Sequence, residues 1–198
     1  MLWRGCALSG KHGRGRSRYL GGVNAIPASD DLERHVQAVL DALGYSRDPE
    51  GDGTAARWLE VLRAYGPKGE GPALEVLATP SFGPVVLRGV PFHALCVHHL
   101  LPFFGTADVG FLPRGRLIGL GAVPRVLQHF SRQPQLQERV GEQVAQHLAA
   151  ALLAPVVVRL RARHMCMEMR GPRSPGEVET MAFAGPDPET VAGLLGPA

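Results

Sequence analysis

Two short stretches hold the residues best suited to chemistry, Cys96-Val97-His98-His99 and His164-Met165-Cys166-Met167. Cys96 and His99 are three apart, so one helical turn or tight loop can aim both at one point. The second stretch alternates in a way that predicts the end of a strand. Met165, Met167 and Met169 would then share one face and His164, Cys166, Glu168 and Arg170 the other. A Cys, a His and a second Cys meeting in space supply three ligands that zinc takes tetrahedrally, with one position left for water. That layout suits hydrolysis rather than a closed structural site. Spacing alone leaves a plainer reading open, a buried cysteine near ordinary surface histidines, since free cysteine is often simply core.

The elements that must position these residues follow from periodicity and punctuation. Ser29 or Asp30 can cap a helix whose apolar stripe is Leu32, Val36, Val39, Leu40 and Leu43, with Gly44 to end it. Thr54 can cap a second, with Trp58, Leu59, Leu62 and Tyr65 on one side and Gly66-Pro67 as the stop. The pair is expected to form an antiparallel hairpin. Residues 67–84, rich in Gly and Pro, predict a loop with a short helix near Leu74. Short strands are expected at 85–87 and 91–95 on either side of Gly89, at 106–112 and at 117–120. Val123, Val126, Leu127 and Phe130 mark one helix, and a helix starting at Pro134 carries Leu136, Val140, Val144, Leu148 and Leu152. In 156–163, Val156, Val158, Leu160 and Ala162 alternate with Val157, Arg159, Arg161 and Arg163, and a last strand is expected at 178–184. The order is a helix pair followed by ββααββ, an α+β domain with an antiparallel sheet and helices on one face.

Composition narrows the classes. The chain has 198 residues, 45% of them hydrophobic, enough for one domain with a sizeable core. Three cysteines do not make a disulfide framework, and a reducing, cytoplasmic setting is expected. No stretch approaches the roughly 20 apolar residues of a membrane helix, so no membrane partner is expected. The net charge of +3 is unevenly placed. Arg4, Lys11, Arg14, Arg16 and Arg18 stand in the first 20 residues without an acid, and the remainder carries −2. Residues 1–29 are therefore expected to be a basic, Gly-rich, flexible tail, with the domain over 30–185 and a C-terminal tail over 186–198. The basic tail lacks interleaved aromatics, so nucleic acid is not an expected partner.

At this point the motifs carry a resemblance. The run Cys96-Val97-His98-His99-Leu100-Leu101-Pro102-Phe103-Phe104-Gly105 resembles the zinc signature of GTP cyclohydrolase I. Gly119-Leu120 with Arg125, Phe130-Ser131-Arg132, Gln135-Leu136-Gln137-Glu138-Arg139, His164-Met165-Cys166-Met167 and Met169-Arg170-Gly171 fit the same pattern in order, over about residues 32–171. The resemblance implies the tunnelling fold, in which ββααββ subunits close side by side into barrels. It also implies a homo-oligomer, a decamer in bacterial members, with sites between subunits. The implied reaction is hydrolytic opening of the guanine imidazole ring of GTP. Formate is released and dihydroneopterin triphosphate forms, at the start of folate or pterin synthesis. The implied cofactor is Zn²⁺ on Cys96, His99 and Cys166, with His98 and His164 as proton carriers. Glu138, with Gln137 beside it, would read the guanine edge, and Arg57, Arg125 and Arg170 would hold the triphosphate.

The departures from the pattern lie mostly on the phosphate side. Gly121-Ala122 stand where the family has Ser-Lys, Glu60 stands where it has Lys, and Val97 stands where it usually has Glu. Two further readings therefore stay open. One is a repurposed paralogue that opens a purine nucleotide with fewer phosphates or another tail. The other is a non-catalytic oligomer that binds a pterin, a purine or a partner protein.

Overall fold

A computed structural model of the chain describes residues 29–80 and 83–196. The expected basic tail lies outside the described residues, Ser29 excepted. The chain divides into two compact units at Ala56/Arg57. In the first, helix α1 (Ser29–Ala42) is followed by two short 3₁₀ turns, Tyr45–Arg47 and Pro49–Gly51. Gly44 ends α1 at φ +80°, a left-handed conformation that costs glycine little. Past that turn, Gln37 Nε2 donates to Asp41 Oδ1 and to Ser46 Oγ, each at 2.9 Å, and Ser46 Oγ donates to Asp41 Oδ1. These bonds hold the Asp41 carboxyl below its ordinary pKa, Ser46 first and Gln37 second.

The second unit carries the sheet. Helix α2 (Thr54–Ala64) runs into it. Then come strands β1 (Val76–Ala78), β2 (Val85–Cys96), β3 (Pro102–Phe111) and β4 (Arg116–Ile118) and helix α3 (Ala122–Ser131). They are followed by β5 (Pro134–Gln135), α4 (Gln137–Leu152), β6 (Val156–His164), α5 (Met165–Glu168) and β7 (Glu177–Ala184). The main sheet has the order β5-β2-β3-β6-β7, antiparallel throughout except for the short β5–β2 pair. One face takes the period-2 stripe read from β6: Val156, Val158, Leu160 and Ala162 are buried against α3 and α4 residues such as Val126, Leu127, Val144 and Leu148. Phe92, Ala94 and Cys96 on β2 and Phe103, Ala107, Val109 and Phe111 on β3 join the same cluster. Burying each large side chain of this kind stabilises the fold by about 1.5–3 kcal/mol.

Several elements differ from the sequence expectation, most of them for a non-local reason. The two strands expected around Gly89 are one strand, β2, whose register against β3 shifts between Leu87 and Val90. Gly89 takes φ +67° at that bulge and its N–H donates to Asp108 Oδ1 at 2.9 Å. The helix expected near Leu74 is absent among the described residues; β1 pairs with β4 instead. Pro134 does not start α4. It pairs with Leu95, and Gln135 with Cys96, so strand pairing overrides the preference of Pro for a first helical turn. The alternation of Met165, Met167 and Met169 is not a strand. β6 stops at His164, Met169 N–H bonds Met165 O at 2.8 Å, and Arg163 grips Glu168 with two nitrogens. That ion pair holds the Glu168 carboxyl below its usual range.

Residues 187–196, expected to be a C-terminal tail, pack in this structure. Val191 and Leu195 are buried against Val157, on the sheet face away from α3 and α4. Arg88 Nη1 donates to Leu195 O at 3.0 Å and Arg159 Nη2 to Gly196 O at 2.6 Å.

Candidate metal centre

The centre forms where the core-facing stripes of three strands run out at one end of the sheet. On β2 the stripe Phe92, Ala94, Cys96 ends in the cysteine, 6% exposed. The chain then turns back tightly. Cys96 N–H donates to Leu101 O at 2.8 Å, and Cys96 O accepts from His99 N–H at 3.2 Å and Leu100 N–H at 2.8 Å. Leu100 takes φ +53°, a left-handed conformation unusual for leucine, and the turn brings His98 and His99 back toward Cys96. Val97 N–H donates to Gln135 O at 3.0 Å, so the strand pairing that displaced the start of α4 also secures this turn. On β6 the stripe ends in His164, paired in register with Phe103 of β3. Two residues later α5 presents Cys166.

Cys96, His99 and Cys166 converge: their ligand atoms all lie within 4.8 Å of one another. Zinc bonds of about 2.3 Å to sulfur and 2.0–2.1 Å to imidazole would put tetrahedral ligand atoms roughly 3.5–3.8 Å apart. Cys96 Sγ lies 3.7 Å from His99 Nδ1. Two thiols and an imidazole are also the donor set that favours zinc over harder cations. Burial first and the neighbouring Cys96 sulfur second push the Cys166 thiol above its ordinary pKa. Two sulfurs this close resist two negative charges, and a bound divalent cation reverses that penalty. The donor set and spacing therefore fit a zinc ion. His98 Nδ1 is 3.8 Å from Cys96 Sγ, but His98 falls outside the mutually close group of three.

His164 is held on two sides. Its ring stacks on Phe103, centroids 4.7 Å apart and planes 1° from parallel. Its Nε2 lies 2.8 Å from Gln137 Oε1. Burial lowers the pKa of His164, against a smaller opposing pull from the Glu138 carboxylate.

With this geometry in place, comparison with known proteins decides the family. The family model of GTP cyclohydrolase I matches residues 32–188. This chain belongs to the GTP cyclohydrolase I family. It is a GTP cyclohydrolase I-like hydrolase. GTP cyclohydrolase 1 of Hyperthermus butylicus is 38% identical over 162 residues, which cover 78% of this chain and 81% of the relative. GTP cyclohydrolase 1 of Lactiplantibacillus plantarum is 36% identical over 172 residues, 78% of this chain and 86% of the relative. A solved structure, the archaeosine synthase QueF-Like in the apo form, overlaps 56% of this chain and 99% of its own length. Its TM-score is 0.40 and its identity 19%, too slight a likeness to bear on function.

The remaining residues expected from the GTP cyclohydrolase I pattern fall into two sets. Glu138, in the first turn of α4, is exposed and close enough to His164 to act on its charge. Arg170 reaches the centre, with Nη1 against His99 Nε2. Arg57 on α2 and Arg125 on α3 lie on exposed faces outside that group. Gln137, expected beside Glu138 at the base, is instead 1% exposed with its amide committed inside the protein. Sequence reasoning missed Phe103 as the platform under His164. The residue stood in plain view in the Cys96–Gly105 run, but only the β3–β6 register shows which ring it supports. Of the departures, Glu60 and Gly121 are exposed, whereas Ala122 is 2% exposed and part of the core.

Proposed function

We propose that this protein is a zinc-dependent GTP cyclohydrolase I, opening the guanine imidazole ring of GTP with loss of formate to give 7,8-dihydroneopterin triphosphate. The observation that carries the reading is the convergence of Cys96, His99 and Cys166 beside His164 in a chain of this family. A zinc ion on those three residues would supply Lewis-acid activation of water, lowering its pKa to about 7. His98 and His164 flank the ligands and carry protons, which ring opening requires at the attacking water and at the departing ring nitrogen. Glu138 accepts hydrogen bonds from the guanine edge, where a wrong base would leave the carboxylate unpaired. Arg170 stands at the centre, and Arg57 and Arg125 supply further planar donors for phosphate oxygens.

The sheet supports a homo-oligomer. Its order leaves β7 as an edge strand, and pairing with a neighbouring subunit would remove that exposed edge. A decamer with sites between subunits is the form this reading takes, and the cytoplasm is the compartment that keeps Cys96 and Cys166 reduced. Among the described residues no helix is long and apolar enough to cross a membrane.

One set of residues favours a second reading. Glu60 places an acid, and Gly121-Ala122 no cation, where the family pattern has lysines. This suits a purine nucleotide with fewer phosphates. A single experiment tests both readings: incubation of the purified protein with GTP, GDP, GMP and guanosine, following formate release and pterin fluorescence. A GTP preference of about a hundredfold or more (about 2.8 kcal/mol) supports the first reading, and a flat or inverted order supports the second. No formate from any of the four would overturn both.

A further inference from the structure

Gln137 is the first residue of α4 and is 1% exposed. Its amide nitrogen lies 3.0 Å from Leu160 O, 2.9 Å from Val178 O and 3.2 Å from Thr180 Oγ1. Its amide oxygen lies 2.8 Å from His164 Nε2. Two of the three atoms around the nitrogen are backbone carbonyl oxygens, which only accept. A flipped amide would set Oε1 against both, in a site shut off from water, at the cost of the full desolvation of those groups. The amide orientation is therefore forced, and Oε1 must face the imidazole. An amide oxygen has no hydrogen to give, so Nε2 of His164 must carry one.

We propose that Gln137 is a positioning residue that holds His164 in its Nε2–H tautomer, leaving Nδ1 as the nitrogen that exchanges protons with the substrate. The inference rests on the reading of His164 as a proton carrier. Phe103 completes the device. It is fully buried and lies parallel to the ring, so it fixes the plane of the imidazole while Gln137 fixes its rotation in that plane. The anchors on β6 and β7 tie the amide to the same strand that carries His164. The ring, its partner and its platform thus move as one body. A histidine without such a partner samples both tautomers and delivers its proton from the wrong atom part of the time.

The test is ¹⁵N-histidine NMR of the full-length zinc-loaded protein, with the His164 signals assigned from a His164→Asn spectrum. Turnover and zinc content are measured on the same preparations. The proposal expects a protonated Nε2 and a bare Nδ1 on neutral His164 in the wild type. In Gln137→Leu it expects mixed tautomers and a kcat lower by about 10- to 100-fold, with zinc content unchanged and KM for GTP within about threefold. Gln137→Glu keeps an acceptor toward Nε2–H but sets its second oxygen against Leu160 O and Val178 O, so it should lower the melting temperature and not restore full activity. If Gln137→Leu does not fold, the wild-type spectrum still decides the claim. A bare Nε2 in the wild type, or full kcat in Gln137→Leu, would overturn it. The tautomer is read without turnover, so a wild type inactive on GTP would refute the proposed activity and leave the positioning claim to be judged on the spectrum alone.

Discussion

The proposed metal side and the proposed phosphate side of the site are built in different ways. Cys96, His99, Cys166, His164 and their supports sit at the ends of paired strands and on turns locked to them by backbone hydrogen bonds. Arg57 and Arg125 are exposed residues on two separate helices, and Glu60 and Gly121 are exposed as well. The first region is fixed by the register of one sheet. Side chains on open helix faces gain their geometry from what they bind. On the proposed reading, preorganisation is concentrated at the metal ligands and the two histidines, while the residues proposed to meet phosphate lie on exposed helix faces. The departures read from the family resemblance follow the same division: the proposed ligands and both histidines are kept, while Glu60 and Ala122 stand where lysines are expected.

If that contrast is right, damage to the two regions should differ in kind and size. The largest effect is expected from Cys166→Ala or Cys96→Ala, which should reduce zinc from about one per chain to a small fraction and abolish turnover, as read by metal analysis and formate release. Retention of full zinc in Cys166→Ala would break the ligand assignment. Next come His98→Ala and His164→Ala, expected to keep zinc and lose turnover by about 10²- to 10⁴-fold. Zinc loss in His98→Ala would make that residue a ligand or its prop. Glu138→Gln should follow, raising KM for GTP by about 10- to 100-fold, equivalent to about 1.5–3 kcal/mol for a charged hydrogen bond, with thermal stability unchanged. The smallest effect is expected from Glu60→Lys. An exposed charge change is worth little once screened, so KM for GTP should fall about two- to fivefold, and less at high salt. The partner change Ala122→Lys is not equivalent. Ala122 is 2% exposed in the core, so a lysine there should lower the melting temperature before it informs on phosphate.

The same contrast marks how far the site could be read from sequence. The stripe Val156, Val158, Leu160, Ala162 was legible because strand periodicity is local, and it led to His164 at its end. The Cys96–His99 spacing was legible for the same reason. What escaped was mostly non-local. Pro134 read as a helix start because its partner Leu95 lies 39 residues earlier in the chain. The run after His164 read as strand because alternating methionines mimic one, while the Arg163–Glu168 pair and the Met165–Met169 bond that close the turn leave no period. Gln137 read as a neighbour of Glu138, the residue proposed to read the base, yet its amide answers to Leu160 and Val178, 23 and 41 residues away. The family resemblance supplied the proposed roles, and the register of β3 on β6 set Phe103 beneath His164.

The most direct measurement of the central claim is formate release from GTP by the zinc-loaded protein, by the same protein stripped with a chelator, and by the stripped protein after zinc is returned. The account predicts formate in step with pterin formation, lost on stripping and restored by zinc. Formate release that survives complete removal of the metal, or none from GTP by fully loaded protein, would contradict it.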